Sequence, residues 1–248
     1  MAVIGVFDSG SGGLSVLREI RKILPDERFI YFSDNAYCPY GEKTAEFVTA
    51  RSRAVTDLLL SKGASAVVVA CNTATAAAIA SLRAEYEIPF VGMEPAVKPA
   101  ASGTRNGIVG VLATAGTLKA AKYLNTKGQY ADAVRIVERV GQGFVELVES
   151  LDLDSPHAES VVRASLEPLL EAGADTIVLG CTHYPFLLPL MQRIAPSDVR
   201  FIDPAPAVAR RLADVLNTSG ISQSDASPGV ELMASGPDTT LKKLFTII

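Results

Sequence analysis

Two cysteines in matched settings are the residues best suited to chemistry in this sequence. Each follows an apolar run and precedes two polar residues: Asn72 and Thr73 after Cys71, and Thr182 and His183 after Cys181. Two thiols on opposite faces of one substrate, one ionised and one protonated, can remove a proton from a carbon and return one to its other side. The pattern therefore predicts inversion of a weakly acidic carbon centre, such as the α-carbon of an amino acid.

A simpler interpretation is that each cysteine is only a small buried apolar residue, which is a common role for a free thiol. The polar residues that follow both cysteines favour a polar cleft, because burying them without partners would be costly. The reactive form is the thiolate, and a helix N-terminus lowers the pKa of a thiol. Helical patterns begin after both cysteines, at Ala74 and at Pro185-Phe186, so we expect the helix dipole to act on both.

Each thiol also has a neighbour that could handle protons. His183 lies two residues beyond Cys181, and Asp8 ends the first strand, where we expect it to lie beside the end of the Cys71 strand. These pairings predict groups that adjust the acidity of each thiol. Two alternatives stay open: Asp8 could cap the helix that starts near Gly12, and His183 could be purely structural.

A glycine-rich turn, Asp8-Ser9-Gly10-Ser11-Gly12-Gly13, connects the first strand to the first helix. It lacks the Gly-Lys-Ser/Thr of a phosphate loop, and its clustered N–H groups would equally suit a carboxylate. The chain has no Cys-x-x-Cys pair and only two histidines, so we predict no metal site. Since no lysine motif indicates pyridoxal phosphate either, we expect catalysis without a cofactor.

The segments that carry the two cysteines resemble each other. Gly63–Thr73 and Gly173–His183 both read Gly-Ala, an apolar strand, a cysteine and a polar pair, at an offset of 110 positions. A weaker similarity relates Gly5–Gly10 to Gly110–Ala115 at an offset of 105. Two similar offsets predict two related lobes. Each cysteine would then lie at the carboxyl end of a parallel strand, where ligands bind in α/β sheets.

Short β-rich runs alternate with helical patterns, which predicts an α/β fold: two related lobes, each a mostly parallel sheet flanked by helices, with the active site in the cleft between them. The predicted strands are Val3–Phe7, Arg28–Phe32, Ala66–Ala70, Ile108–Leu112, Val134–Glu138, Thr176–Leu179 and Val199–Ile202. One apolar helix face is formed by Val16, Ile20, Ile23 and Leu24, and a second by Val162, Leu166, Leu169 and Leu170. The second helix follows Ser155-Pro156, a cap and a proline at its first position.

Two proline-rich breaks suggest where the chain changes lobe. The first spans Pro89–Gly103 and the second is Asp203-Pro204-Ala205-Pro206. We predict an N-terminal lobe of residues 1–96 plus 207–248 and a C-terminal lobe of residues 97–206.

Composition limits the classes of function. The 248 residues are 48% hydrophobic and 20% charged with a net charge of −4, which suits a folded domain without a basic nucleic-acid surface. No apolar run reaches the roughly 18 residues of a membrane span. Three cysteines and no signal peptide favour the reducing cytoplasm. A homodimer is left open, because sequence does not separate an interface from the core.

Four motifs in the right order resemble those of glutamate racemases. They are Val6–Leu14, Ser33–Gly41, Ala70–Ala74 and Leu179–Pro185, and the resemblance runs from Val3 to about Asp203. It implies a pyridoxal-independent enzyme that interconverts L- and D-glutamate and supplies D-glutamate for bacterial peptidoglycan. One departure is Val140-Gly141-Gln142-Gly143, where the family often has a Cys-Pro element.

The resemblance also implies roles for individual residues. Cys71 would take the proton from D-glutamate and Cys181 from L-glutamate, with Asp8 and His183 assisting them. The implied substrate contacts are Asp8, Ser9, Tyr40, Gly41, Asn72, Thr73, Thr182 and His183. Asp34 and Glu149 resemble carboxylates that support the site from behind, and Cys38 receives no catalytic part.

Three rival functions stay open. An aspartate or hydantoin racemase would share the two thiols, although the Asp-Ser-Gly and Pro-Tyr-Gly motifs favour glutamate. A non-catalytic amino-acid-binding protein would need neither thiol. A redox protein would use Cys71 and Cys181 as a dithiol and form a disulfide on oxidation.

Overall fold

Strands and helices alternate along the protein, as the α/β prediction requires. The computed structural model describes residues 2–221 and 227–248, so part of the predicted N-terminal lobe, residues 1 and 222–226, lies outside the described residues. The strands are β1 (Val3–Asp8), β2 (Arg28–Ser33), β3 (Ala66–Val69), β4 (Phe90–Gly92), β5 (Ile108–Ala113), β6 (Arg135–Val140), β7 (Thr176–Gly180), β8 (Arg200–Ile202) and β9 (Gly229–Ala234). The helices are α1 (Leu14–Ile23), α2 (Ala45–Ser61), α3 (Asn72–Glu85), α4 (Val97–Gly103), α5 (Ala115–Lys119), α6 (Ala121–Gln129), α7 (Phe144–Glu149), α8 (Pro156–Glu171), α9 (Leu188–Ile194), α10 (Ala205–Thr218) and α11 (Thr239–Phe245).

The strands form two sheets whose pairings are all parallel. One sheet has the order β4-β3-β1-β2-β9 and the other β6-β5-β7-β8. Helices flank both sheets, and the central strands are mostly apolar because they are buried on both faces. The predicted fold class of two parallel-sheet lobes is therefore confirmed, whereas the boundaries at 96/97 and 206/207 stay a prediction.

The two sheets repeat one connectivity. Written from its other edge, the second sheet is β8-β7-β5-β6, which has the same chain order as β4-β3-β1-β2. The first four strands begin at residues 3, 28, 66 and 90, and the next four at 108, 135, 176 and 200, so corresponding strands are 105 to 110 positions apart. These offsets match those of the two sequence similarities, and both cysteines follow the third strand of their repeat.

The local sequence explains where key helices begin. Ser155 caps α8 by accepting a hydrogen bond from the backbone N–H of Ala158, with Pro156 at the first helical position. Cys71 is itself the N-cap of α3, and its sulfur accepts a hydrogen bond from the N–H of Ala74. The α3 helix thus starts at Asn72, two residues earlier than the pattern predicts.

Several sequence expectations are wrong in detail. After Cys181 the chain forms a short 3-10 turn, Tyr184–Leu187, and α9 begins only at Leu188, so the cysteine does not cap an α-helix. Ile23 was assigned to the buried face of α1 but is 42% exposed, because that helix ends there. The break at Pro89–Gly103 contains β4 and α4, and β9 is a further strand that the alternation did not indicate.

One apolar cluster joins the two lobes. It runs from Val6 and Leu17 in the first sheet layer to Leu112, Phe144 and Leu179 in the second. Helix α10 returns from the second sheet to pack against α1. The two sheets therefore share a core on one side, while their strand ends face each other at the cleft. Among the described residues, no helix has both the length and the apolar composition that a bilayer crossing needs.

Candidate active site

The carboxyl ends of the central strands converge on one small cavity. About 260 Å³ of empty space, part of it open to solvent, lies between its lining residues, so only a small ligand would fit. Within the described part of the chain its lining is Ser9, Pro39, Tyr40, Gly41, Cys71, Asn72, Thr73, Thr114, Val145, Cys181, Thr182 and His183. All the predicted site residues except Asp8 line the cavity directly. Asp8 accepts a hydrogen bond from the lining residue Thr182.

The two sulfurs enter this cavity from different sheets. Cys71 follows β3 and Cys181 follows β7, and their exposed fractions are nearly equal at 6% and 7%. Both thiols are free, as is Cys38. Two thiols that line one cavity from different sheets could act on opposite faces of one bound carbon.

Cys71 lies in a setting of hydroxyls and helix N–H groups. Its Sγ donates to Ser9 Oγ over 3.7 Å and accepts from the N–H of Ala74. Burial, reinforced by the charge of Asp8, raises the pKa of Cys71 to about 12. Asp8 itself does not hydrogen-bond to Cys71, so the predicted pairing of these two residues is electrostatic. The Cys71 side chain is accordingly a thiol in the free protein at neutral pH.

Asp8 bridges the two lobes and does not cap α1. One carboxylate oxygen accepts from the N–H of Gly10 at 3.0 Å and the other accepts from the hydroxyl of Thr182 at 3.0 Å. Burial raises the pKa of this carboxyl, against the opposing effect of His183. The capping alternative is wrong, because the N-cap of α1 is Gly13, with no side-chain hydrogen bond.

Cys181 lies in a setting of titratable side chains. His183 Nδ1 is 3.8 Å from its sulfur, and Nε2 of the same ring is 2.8 Å from Glu149 Oε1. Burial alone would lower the pKa of His183, but its contacts with Cys181, Cys38 and Glu149 outweigh burial and raise it well above the ordinary 6.5. The imidazole is therefore suited to carry a positive charge beside Cys181.

The glycine-rich turn makes room for this histidine. A Cβ at Gly12 would lie 2.3 Å from His183 Nδ1, so no larger residue is compatible with the ring at this distance. Two backbone N–H groups of the turn bind protein carboxylates: that of Gly10 binds Asp8, and that of Ser11 donates to Glu149 at 2.6 Å. The carboxylates that these two N–H groups bind thus belong to the protein itself, and binding of a substrate carboxylate by the turn stays a prediction.

Tyr40 is held from behind by a carboxylate. Its hydroxyl donates to Asp34, which also accepts two hydrogen bonds from Arg51 at 2.8 and 2.9 Å. Gly41, the next residue, approaches Thr114 so closely that a Cβ on it would lie 2.8 Å from that side chain. Asp34 and Glu149 therefore both support lining residues, which is where the resemblance puts them.

Asn72 is buried with its amide unsatisfied. Within the described residues neither its Oδ1 nor its Nδ2 has a hydrogen-bond partner, although the side chain is 4% exposed. A buried polar group left without a partner costs about 1–3 kcal/mol, which a bound ligand can recover. The side chain of Asn72 therefore has both a free donor and a free acceptor for a polar substrate.

Thr114 is a lining residue that the sequence analysis missed. Its hydroxyl lies 3.0 Å from that of Thr73, across the cleft between the lobes, and 3.0 Å from that of Thr117. The weaker sequence similarity, at an offset of 105, aligns Thr114 with Ser9, a signal that could have identified it. Pro39 and Val145 complete the wall and carried no chemical signal.

Comparisons with known proteins identify the family that the sequence and the fold resemble. The sequence model of the family described as Asp/Glu/hydantoin racemase matches residues 4–212. A glutamate racemase of Methylococcus capsulatus is 52% identical over 235 residues, covering 94% of this chain and 87% of that protein. One from Ectopseudomonas mendocina is 49% identical over 248 residues, covering 100% and 94%. The crystal structure of Escherichia coli glutamate racemase with L-glutamate and the activator UDP-MurNAc-Ala superposes with a TM-score of 0.89 at 36% identity, covering 99% of this chain and 94% of that one.

Proposed function

The chain belongs to the Asp/Glu/hydantoin racemase family, and we propose that it is a glutamate racemase that uses Cys71 and Cys181 as its two bases. The observation that carries the proposal is the single small cavity lined by both sulfurs, one from each lobe. A substrate between them would present opposite faces of its α-carbon to the two thiols. The identities to glutamate racemases of about 50% over most of the chain support glutamate as the substrate.

With L-glutamate bound, Cys181 acts as the base. Its thiolate takes the α-proton and becomes a thiol, and the electron pair left on the α-carbon delocalises into the α-carboxylate. Cys71 then donates its proton to the opposite face and becomes a thiolate. The raised pKa of Cys71 keeps this thiol protonated, so it has a proton to donate in this direction. With D-glutamate the two residues exchange roles, and each product leaves the enzyme ready for the opposite enantiomer.

Asp8 and His183 assist the two thiols in different ways. His183 has one nitrogen on the Cys181 sulfur and the other on Glu149, so its charge stabilises the Cys181 thiolate. Asp8 is buried close enough to Cys71 to influence its pKa. Its negative charge disfavours the Cys71 thiolate, which keeps Cys71 protonated when L-glutamate binds and makes its thiolate a stronger base when D-glutamate binds.

Hydroxyls, amides and backbone groups bind the substrate in place of cationic side chains. No Lys or Arg is present among the cavity-lining residues that the structure describes, although glutamate carries two carboxylates. The groups available are the hydroxyls of Ser9, Thr73, Thr114 and Thr182, the unpartnered amide of Asn72 and the backbone at Tyr40-Gly41. Because these donors are neutral, they can stabilise the negative charge that develops on the substrate only if they point at its carboxylate oxygens, as donors do in oxyanion holes.

The product D-glutamate would serve peptidoglycan synthesis, and the reaction would take place in the cytoplasm, where thiols stay reduced. The test is an assay of the purified protein with L- and D-glutamate and with L- and D-aspartate, after dialysis against a chelator and without pyridoxal phosphate. We expect loss of optical activity with both glutamate enantiomers and at least about tenfold slower turnover of aspartate. Faster turnover of aspartate would contradict the substrate, and dependence on added metal or pyridoxal phosphate would contradict the mechanism.

A further inference from the structure

Three side chains with metal-binding atoms meet behind the Cys181 sulfur. Cys38 Sγ, a Glu149 carboxylate oxygen and a His183 ring nitrogen all lie within 4.8 Å of one another. They are far apart in the sequence, at positions 38, 149 and 183. The sequence predicts no metal site because it contains no closely spaced metal ligands, and this cluster forms only in the fold.

The three atoms all lie against Gly10, whose lack of a side chain lets them approach one another. A Cβ on Gly10 would lie 2.3 Å from Glu149 Oε1, 3.0 Å from Cys38 Sγ and 3.0 Å from His183 Nε2. Tetrahedral zinc with bonds of about 2.0–2.3 Å separates its ligand atoms by roughly 3.3–3.5 Å. The 2.8 Å between His183 Nε2 and Glu149 Oε1 would need only a small increase to reach that separation.

The donor set indicates which metal would bind. One thiolate, one imidazole and one carboxylate form a mixed S, N, O set that suits the borderline-soft Zn²⁺ ion and not the harder Mg²⁺ or Ca²⁺. Cys38 is half-buried and the Glu149 side chain is 22% exposed, whereas His183 is 1% exposed and lies at the inner end of the cluster. Three protein ligands leave a fourth position for water.

We propose that Cys38, Glu149 and His183 form a binding site for one Zn²⁺ ion, and that the bound ion inhibits the enzyme. Zn²⁺ would replace the proton of the Cys38 thiol and bind Nε2 of a neutral imidazole, with the displaced protons released to solvent. The remaining ring proton would then be fixed on Nδ1, 3.8 Å from the Cys181 sulfur. A metal-bound His183 loses its pairing with Glu149 and can no longer exchange a second proton beside Cys181.

Cobalt(II), which binds zinc sites and absorbs visible light, tests which sulfur is the ligand. Titration of the metal-free protein should give one equivalent of tetrahedral Co²⁺ with a thiolate-to-cobalt charge-transfer band. We expect the band to persist in Cys71→Ser, which keeps all three proposed ligands. In Cys38→Ser and in Cys38→Ala it should be lost, with Co²⁺ affinity reduced beyond the roughly 10–100-fold caused by changes outside a ligand shell. Circular dichroism of each variant checks that it is folded.

Zinc inhibition provides the second readout. Racemisation by the wild type should fall at least about tenfold with one equivalent of Zn²⁺ and recover with chelator, whereas Cys38→Ser, compared with its own metal-free rate, should lose that sensitivity. The proposal is overturned if the cobalt band survives in folded Cys38→Ser and Cys38→Ala, or if it vanishes in Cys71→Ser, because the catalytic thiols would then hold the metal. Equal zinc sensitivity of wild type and Cys38→Ser would also overturn it.

Discussion

The two halves of the active site have the same backbone plan and different chemistry. Cys71 and Cys181 both follow the third strand of a repeated unit and are almost equally buried. Around Cys71 are the Ser9 hydroxyl and the N-terminus of α3. Around Cys181 is His183, linked onward to Glu149.

The repeated fold therefore determines where the two sulfurs lie, and the neighbouring side chains determine the charge around each sulfur. The two thiols are almost equally buried, so exposure does not distinguish them, whereas the charged groups around them differ. Asp8 adds negative charge near Cys71, which burial already keeps protonated. The pKa of His183 is raised, so its imidazole can carry a positive charge beside the sulfur of Cys181. The Cys71 side thus favours a protonated thiol, whereas the Cys181 side places an imidazole beside its sulfur.

The largest effect is expected from removing either sulfur. Cys71→Ser and Cys181→Ser should each reduce racemisation by at least about 10⁴-fold, because a hydroxyl is too weak an acid to replace the thiol. A glutamate analogue with a leaving group on its β-carbon needs only one deprotonation. Cys71→Ser should therefore still eliminate from the L-analogue and Cys181→Ser from the D-analogue, as measured by release of the leaving group.

Thermal unfolding of both serine variants serves as the control, since both should fold. Full racemisation by either variant would contradict the assignment of one base to each side. Elimination by one variant from both enantiomers would do the same, because it would mean that a single base reaches both faces.

A smaller loss is expected from the assisting residues. Asp8→Asn and His183→Asn should each lower kcat by about 10²–10⁴-fold, the usual range for general acid–base assistance. The ratio kcat/KM must fall equally for both enantiomers, because their equilibrium constant is unity. The asymmetry should appear in the primary isotope effect of α-deuterated substrate, which should rise more for D-glutamate in Asp8→Asn and more for L-glutamate in His183→Asn.

The wild-type isotope effects with both enantiomers are the reference for these two variants. If the two variants changed both isotope effects alike, Asp8 and His183 would not serve separate thiols. That result would leave the two-sulfur placement intact and remove the division of labour between the sides.

Glu149→Gln should affect proton transfer at Cys181 alone. It keeps a hydrogen-bonding group beside His183 but removes its charge, and a hydrogen bond to a charged group contributes roughly 1.5–3 kcal/mol, so we expect kcat to fall about 10–100-fold. Asp154→Asn, on an exposed acidic residue paired with Arg193, is a matched charge-removal control and should leave kcat unchanged. A kcat for Glu149→Gln equal to that of the wild type would contradict a role for Glu149.

The same pair predicts how stability depends on pH. Burial would raise the pKa of Glu149, but hydrogen bonds from His183 and Ser11 lower it below 4.5, while the pKa of His183 is raised above 6.5. The histidine contribution is complete below about pH 6.5 and is lost as pH rises through its folded-state pKa. The glutamate contribution is present above about pH 4.5 and is lost as pH falls.

The difference in unfolding free energy between wild type and Glu149→Gln should therefore be largest between about pH 4.5 and 6.5. Denaturant unfolding at a series of pH values measures it. A difference that does not vary with pH would mean that the Glu149–His183 contact is not an ion pair in the folded protein.

The smallest effect is expected from two hydroxyls at corresponding positions of the repeat, Ser9 and Thr114. Ser9→Ala and Thr114→Val should raise KM for glutamate about 3–10-fold, because each removes one neutral hydrogen-bonding group. Ser9 also contacts the Cys71 sulfur, so its variant should lower kcat as well, whereas Thr114→Val should change KM alone. A kcat effect in both variants would show that Thr114 influences proton transfer.

Much of this arrangement follows from the sequence because parallel strands place their carboxyl ends at one edge. The apolar runs before Cys71 and Cys181, together with the repeat offset, predict the two related sheets and the convergence of the polar residues. The sequence does not predict strands β4 and β9. The first is only three residues long and lies within a proline-rich break, and the second follows the last helix of the alternation.

Contacts between the lobes were beyond the sequence patterns. The hydrogen bonds from Thr182 to Asp8 and from Ser11 to Glu149 join positions 174 and 138 apart, and no spacing rule connects them. The sequence likewise predicts a helix directly after both cysteines, but Pro185 lies in a 3-10 turn and only Cys71 caps an α-helix. The asymmetry between the two halves therefore became visible only in the fold.

Two separate bases are proposed to act on opposite faces of one carbon. Solvent labelling tests this mechanism most directly. Racemisation of L-glutamate in deuterated water should place deuterium at the α-carbon of the D-glutamate formed while the remaining L-glutamate stays unlabelled, and the reverse should hold from D-glutamate. Early labelling of the starting enantiomer at the same rate as the product, in either direction, would mean that one base serves both faces and would contradict the claim.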